Sequence, residues 1–137
     1  MGARSFFDTN VLVYTDDHDA APKQRRALDL LARVRREGTG VVSTQVLSEY
    51  FVTVTRKLGV PAPIARRKVE LFARLHLALI DSDDILAAID LHRLHELSLW
   101  DALVVRTAQE TGCSVLYTED LQDGRRFGAT EIVNPFR

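Results

Sequence analysis

The stretch Phe6-Phe7-Asp8-Thr9-Asn10-Val11-Leu12 decides the fold. Two aromatic residues close a short apolar strand, and an acid stands directly after it. Thr9-Asn10 then turns the chain into the next segment. Working outward, the same pattern returns. Val41-Val42-Ser43 is a short apolar run that fits a buried strand, as do Leu77–Ile80, Ser114–Tyr117 and Thr130–Asn134. Helical spacing fills the intervals. It predicts helices over Pro22–Glu37, Gln45–Leu58, Ala62–Leu75 and roughly Leu99–Thr111, with another carrying Ile85, Leu86, Ile89 and Leu94 behind an Asp81-Ser82-Asp83 cap. Gly38 and Gly40 end the first, Gly59-Val60-Pro61 stops the second, and Gly112 closes the one that starts at Leu99. Short apolar strands alternating with helices read as an α/β fold. Its central sheet is parallel and flanked by helices in three layers, α/β/α.

Length agrees with one domain spanning residues 1–137. A hydrophobic content of 46% fills a core, and 27% charged residues is ordinary for a globular chain. The single cysteine, Cys113, excludes an intrachain disulfide and a cysteine-based metal site, and its apolar neighbours point to a buried packing role. No secretory leader is visible, and no run approaches the roughly 18 apolar residues that span a bilayer. The expected location is cytoplasmic, with no membrane contact. A formal net charge of -1 does not announce a nucleic-acid binder, so any such role must rest on local charge.

Four acids occupy corresponding places along this pattern. Asp8 follows the first strand, and Asp120 follows Ser114–Tyr117. Glu49 lies one turn into the helix after Val41–Ser43, and Asp101 lies in the first turn of the helix after Ser98. In a parallel sheet, strand ends and helix starts converge on the carboxyl edge, where ligands bind. Converging carboxylates raise one another's pKa unless something neutralises them. A hard divalent cation, Mg²⁺ or Mn²⁺, solves this and suits phosphate substrates. Each acid also has a plainer reading. Asp8 could cap a short helix, and Asp101 could be a capping-box partner of Ser98. Glu49 could be a solvated helix residue, and Asp120 a turn residue.

The four surrounding segments together resemble PIN domains. Phe6-Phe7-Asp8-Thr9-Asn10-Val11-Leu12 is similar to the family's opening motif. Ser43-Thr44-Gln45-Val46-Leu47-Ser48-Glu49-Tyr50 resembles its second, Leu99-Trp100-Asp101-Ala102-Leu103-Val104-Val105 its third, and Leu116-Tyr117-Thr118-Glu119-Asp120-Leu121 its fourth. They stand in the family's order and cover nearly the whole chain. Within the family, the likeness is to single-domain bacterial VapC-type toxins. That likeness implies a Mg²⁺- or Mn²⁺-dependent endoribonuclease, controlled by an antitoxin protein and expected as a homodimer. It implies that Asp8, Glu49, Asp101 and Asp120 are the catalytic, metal-binding set. Asn10, Ser43 and Thr118 would orient carboxylates or water. In the fourth motif, Glu119 and Asp123 are neighbouring acids, and either could take the role given to Asp120.

His92 and His95 are three apart on a helix and could share a face as zinc ligands, but no third ligand is specified. Trp100 reads as a core or rim aromatic, with base stacking as the functional alternative. Among the basic runs, Arg33, Arg35, Arg36 and Arg125 are candidate phosphate contacts for RNA, against the plainer reading of solvated helix faces. A phosphoaspartyl receiver normally pairs acids after its first strand, and a haloacid-dehalogenase-type phosphatase wants Asp-x-Asp. Asp8-Thr9-Asn10 fits neither. The serious rival is a catalytically silent PIN fold that binds RNA or protein. The presence of an acid at each motif favours the enzyme.

Overall fold

The computed structural model describes residues 3–137. Its first strand, β1 (Arg4–Phe7), runs directly into Asp8, whose carboxylate accepts from the Thr9 backbone N–H at 2.7 Å and caps α1 (Thr9–Tyr14). A 3₁₀ turn at His18–Ala20 leads to α2 (Ala21–Glu37). That helix ends at Gly38, whose φ of 70° is the left-handed conformation that glycine adopts without a Cβ penalty.

Strand β2 (Gly40–Ser43) follows and is buried throughout. Its first residue must be small. A Cβ on Gly40 would stand 2.9 Å from Val34 Cγ2 and 3.2 Å from Leu75 Cδ2. Ser43 then caps α3 (Thr44–Lys57), which buries Val46, Leu47, Tyr50 and Val54 along one face. Helix α4 (Ala62–Phe72), strand β3 (His76–Ala78), helix α5 (Ser82–His95) and helix α6 (Leu99–Glu110) follow. A capping box between Asp81 and Asp84 opens α5, and the Ser98 hydroxyl accepts from Asp101 N to open α6. The chain closes with β4 (Cys113–Tyr117), β5 (Arg126–Phe127) and β6 (Thr130–Val133).

The six strands form one sheet in the order β3-β2-β1-β4-β6-β5. Every pairing from β3 to β6 is parallel, and β5 alone is antiparallel, on β6. Right-handed crossovers put α1 to α4 on one face of the sheet and α5 with α6 on the other. The pairwise packing agrees: α1 meets α2 and α3, α3 meets α4, and α5 meets α6. Phe6, Phe7, Val41, Val42, Leu116 and Ile132 are fully enclosed between these layers. Each such side chain stabilises the fold by about 1.5–3 kcal/mol. Cys113 is buried among them, as its context predicted, and burial pushes its thiol pKa up.

The three-layer expectation holds, with differences at the edges. The strand expected over Leu77–Ile80 starts at His76 and ends at Ala78, because the Ile80 N–H is taken by the Thr44 hydroxyl at 3.3 Å. A wholly parallel sheet is corrected by the β5–β6 hairpin, whose turn begins at Gly128 with φ of 59°. Among the described residues, no helix is long and apolar enough to cross a membrane.

Candidate active site

Strand order sets the position of the site. From the adjacent strands β1 and β4 the chain departs in opposite directions, toward β2 and toward β6. The crevice between their carboxyl ends is therefore a topological switch point. Asp8 leaves one strand there, and Thr118-Glu119-Asp120 leaves the other.

Hydrogen bonds tie the two loops together. Thr118, fully buried, donates its hydroxyl to Asp8 Oδ2 at 2.8 Å and accepts from the Asp120 backbone N–H at 3.0 Å. Asn10 Nδ2 donates to Asp120 Oδ2 at 3.0 Å and to Thr118 Oγ1 at 3.1 Å, with Asp8 Oδ2 at 3.4 Å. Asn10 Oδ1 accepts from the Glu119 backbone N–H at 3.3 Å. Glu49 comes from α3, and its Oε1 accepts from the Thr9 hydroxyl at 2.8 Å. Asp101 comes from the first turn of α6, where the N-terminal end of a helix favours negative charge.

All four acids line one open cleft of about 410 Å³, together with Thr9, Gln45, Ser48, Trp100 and Val104. No Lys, Arg or His lines it, and none of the four carboxylates takes part in an ion pair among the described residues. Asp8 shows the consequence. Burial pushes its pKa up to about 7, opposed by the Thr118 and Thr9 hydrogen bonds and reinforced by the charges of Asp120 and Asp101. Burial likewise raises Asp101, with Ser98 opposing and the Asp120 charge adding.

These oxygen donors have the chemistry of a hard-cation site. Among the described residues, no three acidic, histidine or cysteine side chains stand close enough to enclose an ion as they are turned. The cradle is open, so an ion held by these carboxylates would keep several of its waters.

The other sequence candidates separate clearly. Glu119 turns away from the cleft. It accepts from the Tyr14 hydroxyl at 2.6 Å and pairs with Lys23 at 3.0 Å. Asp123 accepts from the Asn134 backbone N–H at 2.7 Å and lies 3.8 Å from Arg137. Ser43 is wholly buried, and its hydroxyl accepts from Val46 N at 3.3 Å. It therefore holds the start of the helix that carries Glu49 and touches no carboxylate of the cleft.

None of the basic candidates lines the cleft. Helix α2 runs back from the carboxyl edge, and Thr39, just past its end, accepts from Ser5 N at the opposite edge. Arg35 and Arg36, in its last turn, are carried away with it. Arg33 donates to the Tyr117 hydroxyl at 3.2 Å, and Arg125 stacks 4.4 Å over the Phe127 ring. The two histidines are engaged separately, His92 with the Leu97 carbonyl and His95 with Arg125.

One cation near the cleft carries more weight than these. Lys57, at the end of α3, lines an adjoining cavity with Asn10, Thr53 and Asp120, and it is exposed and outside every ion pair among the described residues. In the sequence Arg56-Lys57 is one of several basic runs, and only its place one turn beyond Thr53 on the Glu49 helix sets Lys57 apart.

Fold and site together define a three-layer α/β domain with an unneutralised acidic cleft at its switch point. The PIN domain family profile matches residues 5–126, and the chain belongs to that family. Solved structures agree on the fold. A toxin–antitoxin complex from Klebsiella pneumoniae is similar at 22% identity with a TM-score of 0.67, covering 96% of this chain and 97% of that one. The Mycobacterium tuberculosis VapC20 toxin, described as cleaving the sarcin–ricin loop, aligns at 19% identity and a TM-score of 0.65, over 82% and 86%. VapBC2 from Rickettsia felis, solved with a promoter DNA fragment, aligns at 18% identity and a TM-score of 0.63, over 85% and 87%. No curated protein sequence matches the chain.

Proposed function

We propose that this chain is a divalent-metal-dependent endoribonuclease and the toxin of a toxin–antitoxin pair. One observation carries the reading. Four carboxylates line a cleft that holds no cationic side chain. Such a cleft repels a phosphodiester unless a cation is bound in it, so acids and ion must work together.

Asp8, Glu49, Asp101 and Asp120 would hold Mg²⁺ or Mn²⁺. When bound, the ion would neutralise the scissile phosphate and lower the pKa of an attacking water. The chain's own contribution is placement. Thr118 and Asn10 fix Asp8 and Asp120 against each other, and Thr9 fixes Glu49. Asp101 stands at a helix N-terminus, whose dipole works against the burial that raises its pKa. Lys57, which lines the adjoining cavity, would take a neighbouring phosphate.

The toxin role is supported by the titles of the similar structures, a toxin–antitoxin complex and a toxin among them. Exposed apolar residues on and beside α5 supply a face for protein assembly, whether a second copy or an antitoxin: Leu79 (71% exposed), Leu86 (60%) and Leu94 (75%). The test is direct. Purified protein should cleave RNA with Mg²⁺ or Mn²⁺, and EDTA should abolish cleavage. Undiminished activity in Asp101→Asn would sink the catalytic assignment.

A further inference from the structure

Beside the acidic cleft lies a second, mostly apolar groove of about 550 Å³. Ile80, Ile85, Trp100 and Leu103 form its apolar wall, and Gln45, Ser48, Glu49 and Trp100 line both depressions. The two are therefore continuous. Trp100 stands on the ridge between them, one residue before Asp101, with 63% of its surface exposed.

An indole this exposed contributes little to the core and leaves much of its surface free for a ligand. Its backbone is held, because the Trp100 carbonyl accepts from Gln45 Nε2 at 3.2 Å. That bond also fixes the Gln45 amide. A carbonyl can only accept, so the nitrogen must face it. The other amide atom, Gln45 Oε1, is enclosed without a donor, the one buried side-chain polar atom so left among the described residues.

Resting on the nuclease reading above, we propose that this groove is a base subsite, taking one unpaired nucleobase of the RNA strand beside the bond held at the acids. Two observations select a base over other occupants. The groove opens into the acidic cleft, so whatever fills it is continuous with what lies across the carboxylates. Its wall offers a flat aromatic face and no cation, which suits a neutral, planar group. The base must be out of a duplex, because a paired base has no free face for the indole. Trp100 is thus a positioning residue. It sets which nucleotide lies next to the scissile phosphate and takes no part in the bond change.

The chain has a single tryptophan, so its fluorescence reports this groove alone. In stopped-flow mixing with a single-stranded RNA dodecamer and Mg²⁺, emission should quench saturably, and the same sequence as a duplex should not quench it. Trp100→Ala should raise KM for that RNA about 5- to 150-fold, the range of one lost base stack, with kcat changed less than about threefold. Trp100→Phe, which keeps a ring, should recover most of the loss. Unchanged KM in Trp100→Ala, or no quenching at RNA concentrations that saturate cleavage, overturns the subsite and leaves the groove to a protein partner. The two readings fail separately. Quenching by RNA without cleavage sinks the nuclease and keeps the subsite, whereas cleavage without quenching does the reverse.

Discussion

Replacing Asp8 with Asn should make the metal-free protein more stable at pH 8 relative to pH 5, even as it removes a carboxylate from the cleft. Asp8 is 5% exposed, and its pKa is pushed up to about 7. Burial is the largest cause, with Asp120 and Asp101 adding and the Thr118 and Thr9 hydrogen bonds opposing. The folded state thus keeps a proton that the unfolded chain releases near the ordinary value of 3.8. Where the native state binds more protons, stability falls as pH rises, so the loss runs from about pH 4 to pH 7 and levels off above. Integrated between pH 5 and pH 8, it amounts to about 2.5 kcal/mol at 1.36 kcal/mol per unit. Asn carries no such proton. It does deprive the Thr118 hydroxyl of its acceptor, a cost of about 1–2 kcal/mol. That cost does not vary with pH, so it cancels when the two pH values are compared.

For a chain of this length, the differential corresponds to a shift of roughly 8 °C in the Tm difference between variant and wild type. Thermal or urea unfolding in EDTA at pH 5, 6, 7 and 8 measures it. The gap between the two proteins should move in the variant's favour across that range. Adding Mn²⁺ at pH 8 should then stabilise the wild type, by about 2.7 kcal/mol at a hundredfold excess over Kd, and barely affect the variant. Parallel pH profiles would refute the argument that Asp8 is an uncompensated buried carboxylate.

Two further perturbations act around the same cleft. Thr118→Val removes the hydroxyl shared by Asp8 and Asp120 while keeping the shape, and metal affinity or activity should fall about 10- to 100-fold, as read by titration calorimetry or cleavage rates. Lys57→Ala should weaken RNA binding with kcat little changed and flatten the dependence of log K on log salt by about 0.7, measured with single-stranded RNA between 50 and 200 mM salt.

Much of this was legible because the deciding signals are local. Phe6-Phe7-Asp8 places an acid beyond a strand by adjacency alone, and Ser98 followed by Asp101 announces a helix start. The parallel sheet then brings distant acids to one edge, so the four motifs predicted a common cleft. Side-chain partners were not legible. Glu119 and Asp123 resembled Asp120 until their contacts with Lys23, Tyr14, Asn134 and Arg137 were seen. Ser43 sits in a motif of polar residues, yet its position at a helix start commits its hydroxyl to Val46 N. The arginines of α2 follow the same logic, because the direction of the helix sets how far each lies from the cleft and composition carries no direction. The β5–β6 hairpin was missed although Gly128-Ala129 sits between two strand-forming stretches, because a two-residue strand has no period to read.

The four acids are expected to hold an ion between them. A crystal soaked in Mn²⁺ and measured at the manganese absorption edge tests this most directly. Anomalous density among Asp8, Glu49, Asp101 and Asp120 is the predicted result. Density beside His92 and His95 instead, or none in the cleft with the soak shown to have entered the lattice, would contradict it.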